Sequence, residues 1–235
     1  MVFYLFATKY GRSGDVLVAV NSENVETRLR MIIDQKPPDA DSLTWKHLPH
    51  YDQAGLIQMV TFRLNDSMPT LCRSEWSDLF KLSPALVDQK MQSYIDAGKG
   101  SCILSNPEMV NATEKCLLDF DVQRYLLLAW VVMPNHVHVL VKTVKDWPLA
   151  VIIQGWKSVS ARMIGALCDI KSVWHKNYFD RYIRNERHLL EATRYTHNNP
   201  VVAGLAVRSE DWLYSSARLV ETLESTYHNP WEAGM

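Results

Sequence analysis

The chain has 235 residues, 47% of them hydrophobic and 22% charged, with a formal net charge of −1. That length allows one domain of ordinary size with a short appended segment, and it excludes two large domains. The balance is that of a folded globular protein and excludes a disordered chain, while the near-zero charge argues against a non-specific nucleic-acid binder.

In chain order, the first twelve residues hold a short apolar patch with no basic residues before it. Neither a secretory signal nor an anchor is read there, so a cytoplasmic location is expected. No run reaches the roughly 18 apolar residues that span a bilayer, and no membrane partner is expected. Residues 3–8 and 16–20 are strand-like and 25–34 helix-like, and 36–41, with two prolines and two aspartates, reads as a linker.

Residues 56–64 are β-rich and bounded by Gly55 and Asn65-Asp66-Ser67, which predicts a strand. A helical stretch over about 75–97, broken at Pro84, is closed by Gly98 and Gly100, and a second helix follows over 107–120. Two apolar runs, 125–132 and 136–142, joined by Met133-Pro134-Asn135, predict a hairpin. Residues 149–167 are helical, 173–183 hold a short aromatic strand or loop, and a helix from 186 to about 198 must stop at Pro200. Strands alternating with helices around a hairpin predict an α+β fold, an antiparallel sheet with helices packed on one face.

The four cysteines, Cys72, Cys102, Cys116 and Cys168, form no CxxC pair and read as reduced core thiols. Basic charge gathers late: residues 142–194 hold ten Lys/Arg and five Asp/Glu, against seven and ten in 51–141. A polyanion would meet the C-terminal half, although such runs also occur on solvated helix faces.

The strongest local signal is Pro134-Asn135-His136-Val137-His138-Val139-Leu140. Side chains alternate along a strand, so His136 and His138 share one face and Val137 and Val139 the other. Two imidazoles displayed together suit one divalent metal; the plain alternative is two ordinary residues on a half-exposed strand. The second signal is Arg194-Tyr195-Thr196-His197-Asn198-Asn199-Pro200, where Tyr195 and Asn199 share a helix face four residues apart. A tyrosine hydroxyl beside a cation is a phosphoryl nucleophile, and Asn199 would complete the metal site. The proline displaces the residue before it from helical geometry, which leaves Asn198 as the alternative ligand.

The run 129–140, Ala-Trp-Val-Val-Met-Pro-Asn-His-Val-His-Val-Leu, resembles the HUH signature of the REP-associated tyrosine transposases, relatives of the single-tyrosine insertion-sequence transposases. In the family's order follow Trp156-Lys157-Ser158, Val173-Trp174, Tyr178 to Arg184, Tyr195 to Val201, Ala203-Gly204-Leu205, Asp211-Trp212 and Ser215-Ser216-Ala217. His47 to Tyr51 and Val60 to Leu64 look like the family's lead-in and first strand. The resemblance covers about 48–217 and divides the chain into an N-terminal extension (1–46), a transposase-like domain (47–218) and a tail (219–235).

The resemblance implies a ferredoxin-like core with the histidine pair on a central strand and the tyrosine on a helix beside it. It implies His136, His138 and Asn199 as metal ligands, Tyr195 as nucleophile, and Mg²⁺ or Mn²⁺ as cofactor. Where family members often have an aliphatic or aromatic residue after the tyrosine, this chain has Thr196 and His197, and His197 is a lesser candidate. The implied reaction is cleavage and rejoining of single-stranded or hairpin DNA through a 5′-phosphotyrosine, by a monomer or homodimer. Lys157, Arg181 and Arg184 are candidates for phosphate contacts, and Trp156 or Tyr178 for stacking on a base, with structural roles as the alternative for each. Two rivals are a DNA-binding protein of this fold without cleavage and a water-using hydrolase in which Tyr195 is structural.

Overall fold

The structure, a computed structural model, describes residues 43–45, 49–51, 53–68, 93–168, 170 and 172–219. The two strands and the helix expected within residues 3–34, the linker after them, Cys72 and most of the helix expected over 75–97 lie outside these residues. Of that last helix, residues 93–96 are seen, and they are helical.

Strand β1 (Leu43–Trp45) pairs with β2 (Pro49–Tyr51) in a two-stranded ribbon. The main sheet contains β3 (Ile57–Arg63), β4 (Tyr125–Val132), β5 (His136–Thr143) and β6 (Phe179–Tyr182), in the order β4-β5-β3-β6 with all pairs antiparallel. Helix α1 (Pro107–Leu118) links β3 to β4, and α2 (Leu149–Leu167) links β5 to β6. β3 and β4 therefore run parallel with β5 inserted between them, the split β-α-β arrangement of a ferredoxin-like core. This is the expected α+β sheet.

Local chemistry fixes the boundaries. Asn106 caps α1 by accepting from the Glu108 amide at 2.9 Å, with Pro107 at the first helical position. The β4–β5 hairpin closes with the Met133 amide donating to the His136 carbonyl at 2.8 Å. A bulge between Leu127 and Ala129 puts Leu128 and Ala129 on the same side, so β4 serves both faces of the sheet.

One face is dry. Val60, Phe62, Trp130, Val137, Val139 and Val141 pack there against α1 and α2, including Val110, Leu117, Ile152 and Trp156. The last helix, α3 (Glu186–Val202), lies on the other face, where Met59, Leu128, Leu140 and Ile183 meet Ala192, Leu189 and Tyr195. Helices on one face thus describes α1 and α2 only. A sheet whose strands are buried on both sides needs a second cover, and α3 is amphipathic enough to supply it.

Pro200 does not stop α3. It sits inside the helix, which continues to Val202. Proline removes one amide and crowds the carbonyl four residues back, yet the helix closes beyond it, with the Ala203 amide donating to the Asn199 carbonyl at 3.0 Å. The β4 edge is covered by the segment after α3: Val132 donates to the Tyr214 carbonyl at 2.8 Å and Ser216 to the Trp130 carbonyl at 3.0 Å. Arg218 clamps the same segment to Glu114 at 2.9 Å. No helix among the described residues is long and apolar enough to cross a membrane.

Candidate active site

The alternation of β5 sends His136 and His138 to the α3 face, opposite the valines of the core. Both are buried, at 1% and 0% exposure, and their Nε2 atoms stand 3.0 Å apart. The other ring nitrogens are held from behind. His136 Nδ1 meets Asn135 Oδ1 at 2.7 Å, and His138 Nδ1 meets Thr61 Oγ1 at 2.8 Å. An amide oxygen only accepts, so His136 carries its proton on Nδ1 and presents a lone pair at Nε2. Burial, with His138 next and Asp96 opposing, holds the His136 imidazolium well below its ordinary range, so the ring is neutral.

A carboxylate that sequence reasoning missed completes the cluster. Asp96 Oδ1 lies 3.4 Å from His136 Nε2 and 3.6 Å from His138 Nε2. Among the described residues, Asp96, His136 and His138 form a group whose ligand atoms lie within 4.8 Å of one another. Burial raises the Asp96 pKa, but contacts with His138, His136 and Tyr195 outweigh it and hold the carboxyl below its usual range. Asn135 positions this acid as well: its Nδ2 donates to the carbonyls of Ile95 and Lys99, each at 3.0 Å, which brackets Asp96. That side chain therefore sets His136 with its oxygen and the Asp96 segment with its nitrogen.

Helix α3 brings the remaining two groups. Tyr195, ring centroid 5.3 Å from that of His138, donates its hydroxyl to Asp96 Oδ2 at 3.0 Å. Burial, then the Asp96 charge and hydrogen bond, raise its pKa far above the ordinary phenol value, so the hydroxyl is protonated in this arrangement. One turn on, Asn199 is 4% exposed, with Nδ2 3.4 Å from both His138 Nε2 and Asp96 Oδ1. Asn198 is exposed, so of the two asparagines only Asn199 is at the cluster. His197 points away, to Ser216 Oγ at 2.8 Å.

These atoms suit a divalent cation. Two imidazole nitrogens face each other 3.0 Å apart, and Nε2 of His136 offers a lone pair on that side. Asn199 Oδ1 is buried with no hydrogen-bond partner. Amide oxygen and nitrogen are nearly the same shape, so a half-turn would present that oxygen to the cluster, where a cation would satisfy it. Two imidazole nitrogens with oxygens is a donor set for Mg²⁺ or Mn²⁺ as well as for softer ions.

The four proposed DNA contacts divide. Arg181, opposite Met59 in the β3–β6 pairing, and Arg184 line a cleft that also contains Tyr195. Lys157 lies on α2, on the other side of the sheet, and donates to the carbonyls of Lys176 and Asn177 at 3.1 and 3.2 Å. Trp156 is a correction: it is 3% exposed, and its Nε1 donates to the Tyr125 hydroxyl at 2.9 Å in the core. A side chain enclosed in that way cannot stack on a base. Tyr178, half-buried, stacks on His50 with centroids 4.3 Å apart.

Residues 111–199 match the family described as "Transposase IS200 like". The match begins in α1, takes in both histidines and Tyr195, and ends on Asn199. The particular likeness is to the REP-associated tyrosine transposase of Escherichia coli (strain K12), 27% identical over 92 residues. That match takes in 37% of this chain and 52% of the bacterial protein, so it spans about half the length of the curated relative. A solved structure of a REP-associated tyrosine transposase bound to a REP hairpin is also similar, with 18% identity and a TM-score of 0.48 over 78% of this chain and 88% of that one. The tyrosine-transposase resemblance read from the sequence is borne out.

Proposed function

We propose that this chain is a metal-dependent single-strand DNA nickase and strand transferase in which Tyr195 is the nucleophile. The observation that carries the proposal is the division of one carboxylate: Asp96 turns Oδ1 to the histidine pair and Oδ2 to the Tyr195 hydroxyl. Nucleophile and metal cluster thereby share one side chain. His136, His138, Asp96 and Asn199 would hold Mg²⁺ or Mn²⁺, which when bound polarises a DNA phosphate and stabilises charge on it.

In the reaction, a bond forms between the Tyr195 oxygen and phosphorus as the bond from phosphorus to the 3′ oxygen breaks. The phenol proton leaves toward Asp96 Oδ2, already its hydrogen-bond partner, and the departing 3′ oxygen takes up a proton. Because one phosphodiester replaces another of similar energy, a 3′-hydroxyl reverses the step and no nucleotide cofactor is required. Single-stranded or hairpin DNA is the proposed partner, because an exposed strand alone can follow the surface beside Tyr195. Complete ligands and nucleophile favour this reading over a DNA-binding protein that has lost cleavage.

Tyr195→Phe tests it. The change keeps the ring and removes the nucleophilic oxygen, so it should bind hairpin DNA taken from beside its own coding region about as well as the parent. It should give no nick and no DNA-linked band on a denaturing gel. Cleavage with an adduct would move the nucleophile elsewhere, with Tyr182 or Tyr178 next to test. Cleavage without an adduct would identify water as the nucleophile.

A further inference from the structure

The chain that leads into β6 runs along the outer edge of β3, where Leu64 bridges to Trp174 and the His175 amide donates to the Arg63 carbonyl at 2.9 Å. Just beyond, Lys157 reaches over from α2, its Nζ donating to the carbonyls of Lys176 and Asn177 at 3.1 and 3.2 Å. A cleft of about 480 Å³ opens between this segment and α2, on the side of the sheet away from Tyr195, with Lys157, His175 and Lys176 on its walls. No aspartate or glutamate among the described residues lines it. Next to His175 stands Arg63, 7% exposed, whose Nη1 bonds the Leu64 carbonyl and Ser67 Oγ while its Nε is buried with no hydrogen-bond partner. Asp66 offsets part of the Arg63 charge, yet the crowding of cations persists. Burial, then Arg63, lowers the Lys157 pKa to about 8, and burial, then Arg63 and Lys157, lowers that of His175 to about 4. Donors remain for a ligand. Lys157 spends two of its three N–H groups on carbonyls, and His175 Nδ1 accepts from the Asn177 amide at 3.3 Å, which places the ring proton on Nε2. Carbonyl dipoles do not neutralise an ammonium, and an anion does.

We infer that Lys157, His175 and Lys176 form a second phosphate site, which holds the DNA backbone on the face of the sheet opposite Tyr195. The inference rests on the nicking function proposed above. The strand order puts β6 at the margin of the sheet, and its residues alternate between the two faces, Arg181 opposite Met59 on the Tyr195 side and Asp180 opposite Val60 on the other. A DNA strand that leaves the reacting phosphate around this margin therefore arrives at the cleft. Lys157 and the His175 Nε2–H give directed hydrogen bonds to phosphate oxygens, while the exposed Lys176 and the buried Arg63 supply field. Two grips keep the DNA on the protein through the interval in which one of its own bonds is open.

The test uses the full chain in the Tyr195→Phe background, where no covalent capture occurs, with Mn²⁺ present. Fluorescent oligothymidylates of about five and about twenty nucleotides are titrated by anisotropy, for affinity and for the number bound at saturation. The starting chain should take up two short strands but one long one, and should bind the long strand at least on the order of tenfold more tightly, because one molecule then occupies both sites. Lys157→Ala, Lys176→Ala should take up one strand of either length and lose that gain. Its salt dependence on the long strand should fall by about 1.4 in slope, at about 0.7 for each phosphate contact on a single strand. Lys176→Glu, an exposed change that leaves the bonds of Lys157 to the backbone in place, should give the same pattern and serves if the double variant folds poorly. One short strand per starting chain, an equal loss for both lengths, or no loss at all overturns the inference. So does polyglutamate that displaces the long strand as well as unlabelled oligothymidylate does, since the cleft would then take carboxylates equally. Adduct formation by the unaltered chain on hairpin DNA is scored separately: its absence would overturn the nicking function, whereas the number of strands bound decides the cleft.

Discussion

The two faces of the central sheet are made from the same strands and differ in chemistry. On β5, Val137, Val139 and Val141 fill a dry core under α1 and α2, while His136 and His138, interleaved with them, meet Asp96 and α3. The period of two lets one rigid strand carry both. The core face is closed by apolar contacts that tolerate no water. The site face has a smaller apolar cluster, and its histidines, acid and amide are held by one another and by Asn135 and Thr61. Stability is concentrated on one side, and reactive groups on the other are fixed by a sheet they contribute little to holding together.

Adjacent residues test that division most sharply. His138→Ala should reduce metal-dependent nicking to background while shifting the melting temperature little, because the site face loses ligands rather than core. Val139→Ala, one residue on, should cost roughly 2 kcal/mol from two lost methyl groups and the cavity they leave, and nicking per folded molecule should persist. Denaturant melts and a nicking assay on both variants decide it. Equal loss of stability in the two, or nicking unchanged in His138→Ala, would remove the distinction between the faces.

Asn135 offers the next effect in size. It is fully buried, yet it reaches the Asp96–His136–His138 cluster only through His136 and through the backbone on either side of Asp96. Asn135→Ala should lower metal affinity by about 10- to 100-fold, the range for groups that orient ligands. Raised Mn²⁺ should recover part of the nicking, a rescue that the loss of His138 itself would not allow. If saturating Mn²⁺ restores nothing, Asn135 holds the fold rather than the site.

What the sequence showed of this arrangement follows from how local each signal is. The histidine pair, the hairpin and the spacing of Tyr195 and Asn199 are readable because strand and helix periods act within a few residues. Asp96 was not, since it lies forty residues before His136 in an ordinary amphipathic stretch, and it is brought to the cluster by bonds from residues distant in sequence, Asn135, Tyr195 and Asn199. The position of α3 was also hidden: its sequence shows an apolar side but not which face of the sheet that side covers. Pro200 misled as well, because the helix packed on the sheet runs on through it to Val202. Trp156 matched a family motif, and only burial reveals it as core.

The smallest expected effect concerns how the site face is fastened. His197, on α3, bonds Ser216 at 2.8 Å and so ties the helix to the segment that covers the β4 edge. Burial lowers its pKa to about 4, so the ring is neutral in the folded chain. Unfolded, the same ring titrates near 6.5. Between these values the unfolded chain binds more protons, so stability is lost as pH falls from about 6.5 toward 4, on the order of 3 kcal/mol if this group acts alone. His175, lowered to about 4 by burial and by Arg63 and Lys157, adds to the decline in the same direction. His197→Gln keeps a hydrogen-bonding side chain without the titration, so its melting temperature should fall less between pH 7 and pH 4.5 than that of the parent. Amide exchange at pH 4.5 should quicken first in α3 of the parent, before α1 and α2, and the substitution should remove that difference. Uniform acceleration across all three helices would mean that acid loosens the two faces together, and that His197 does not fasten one of them.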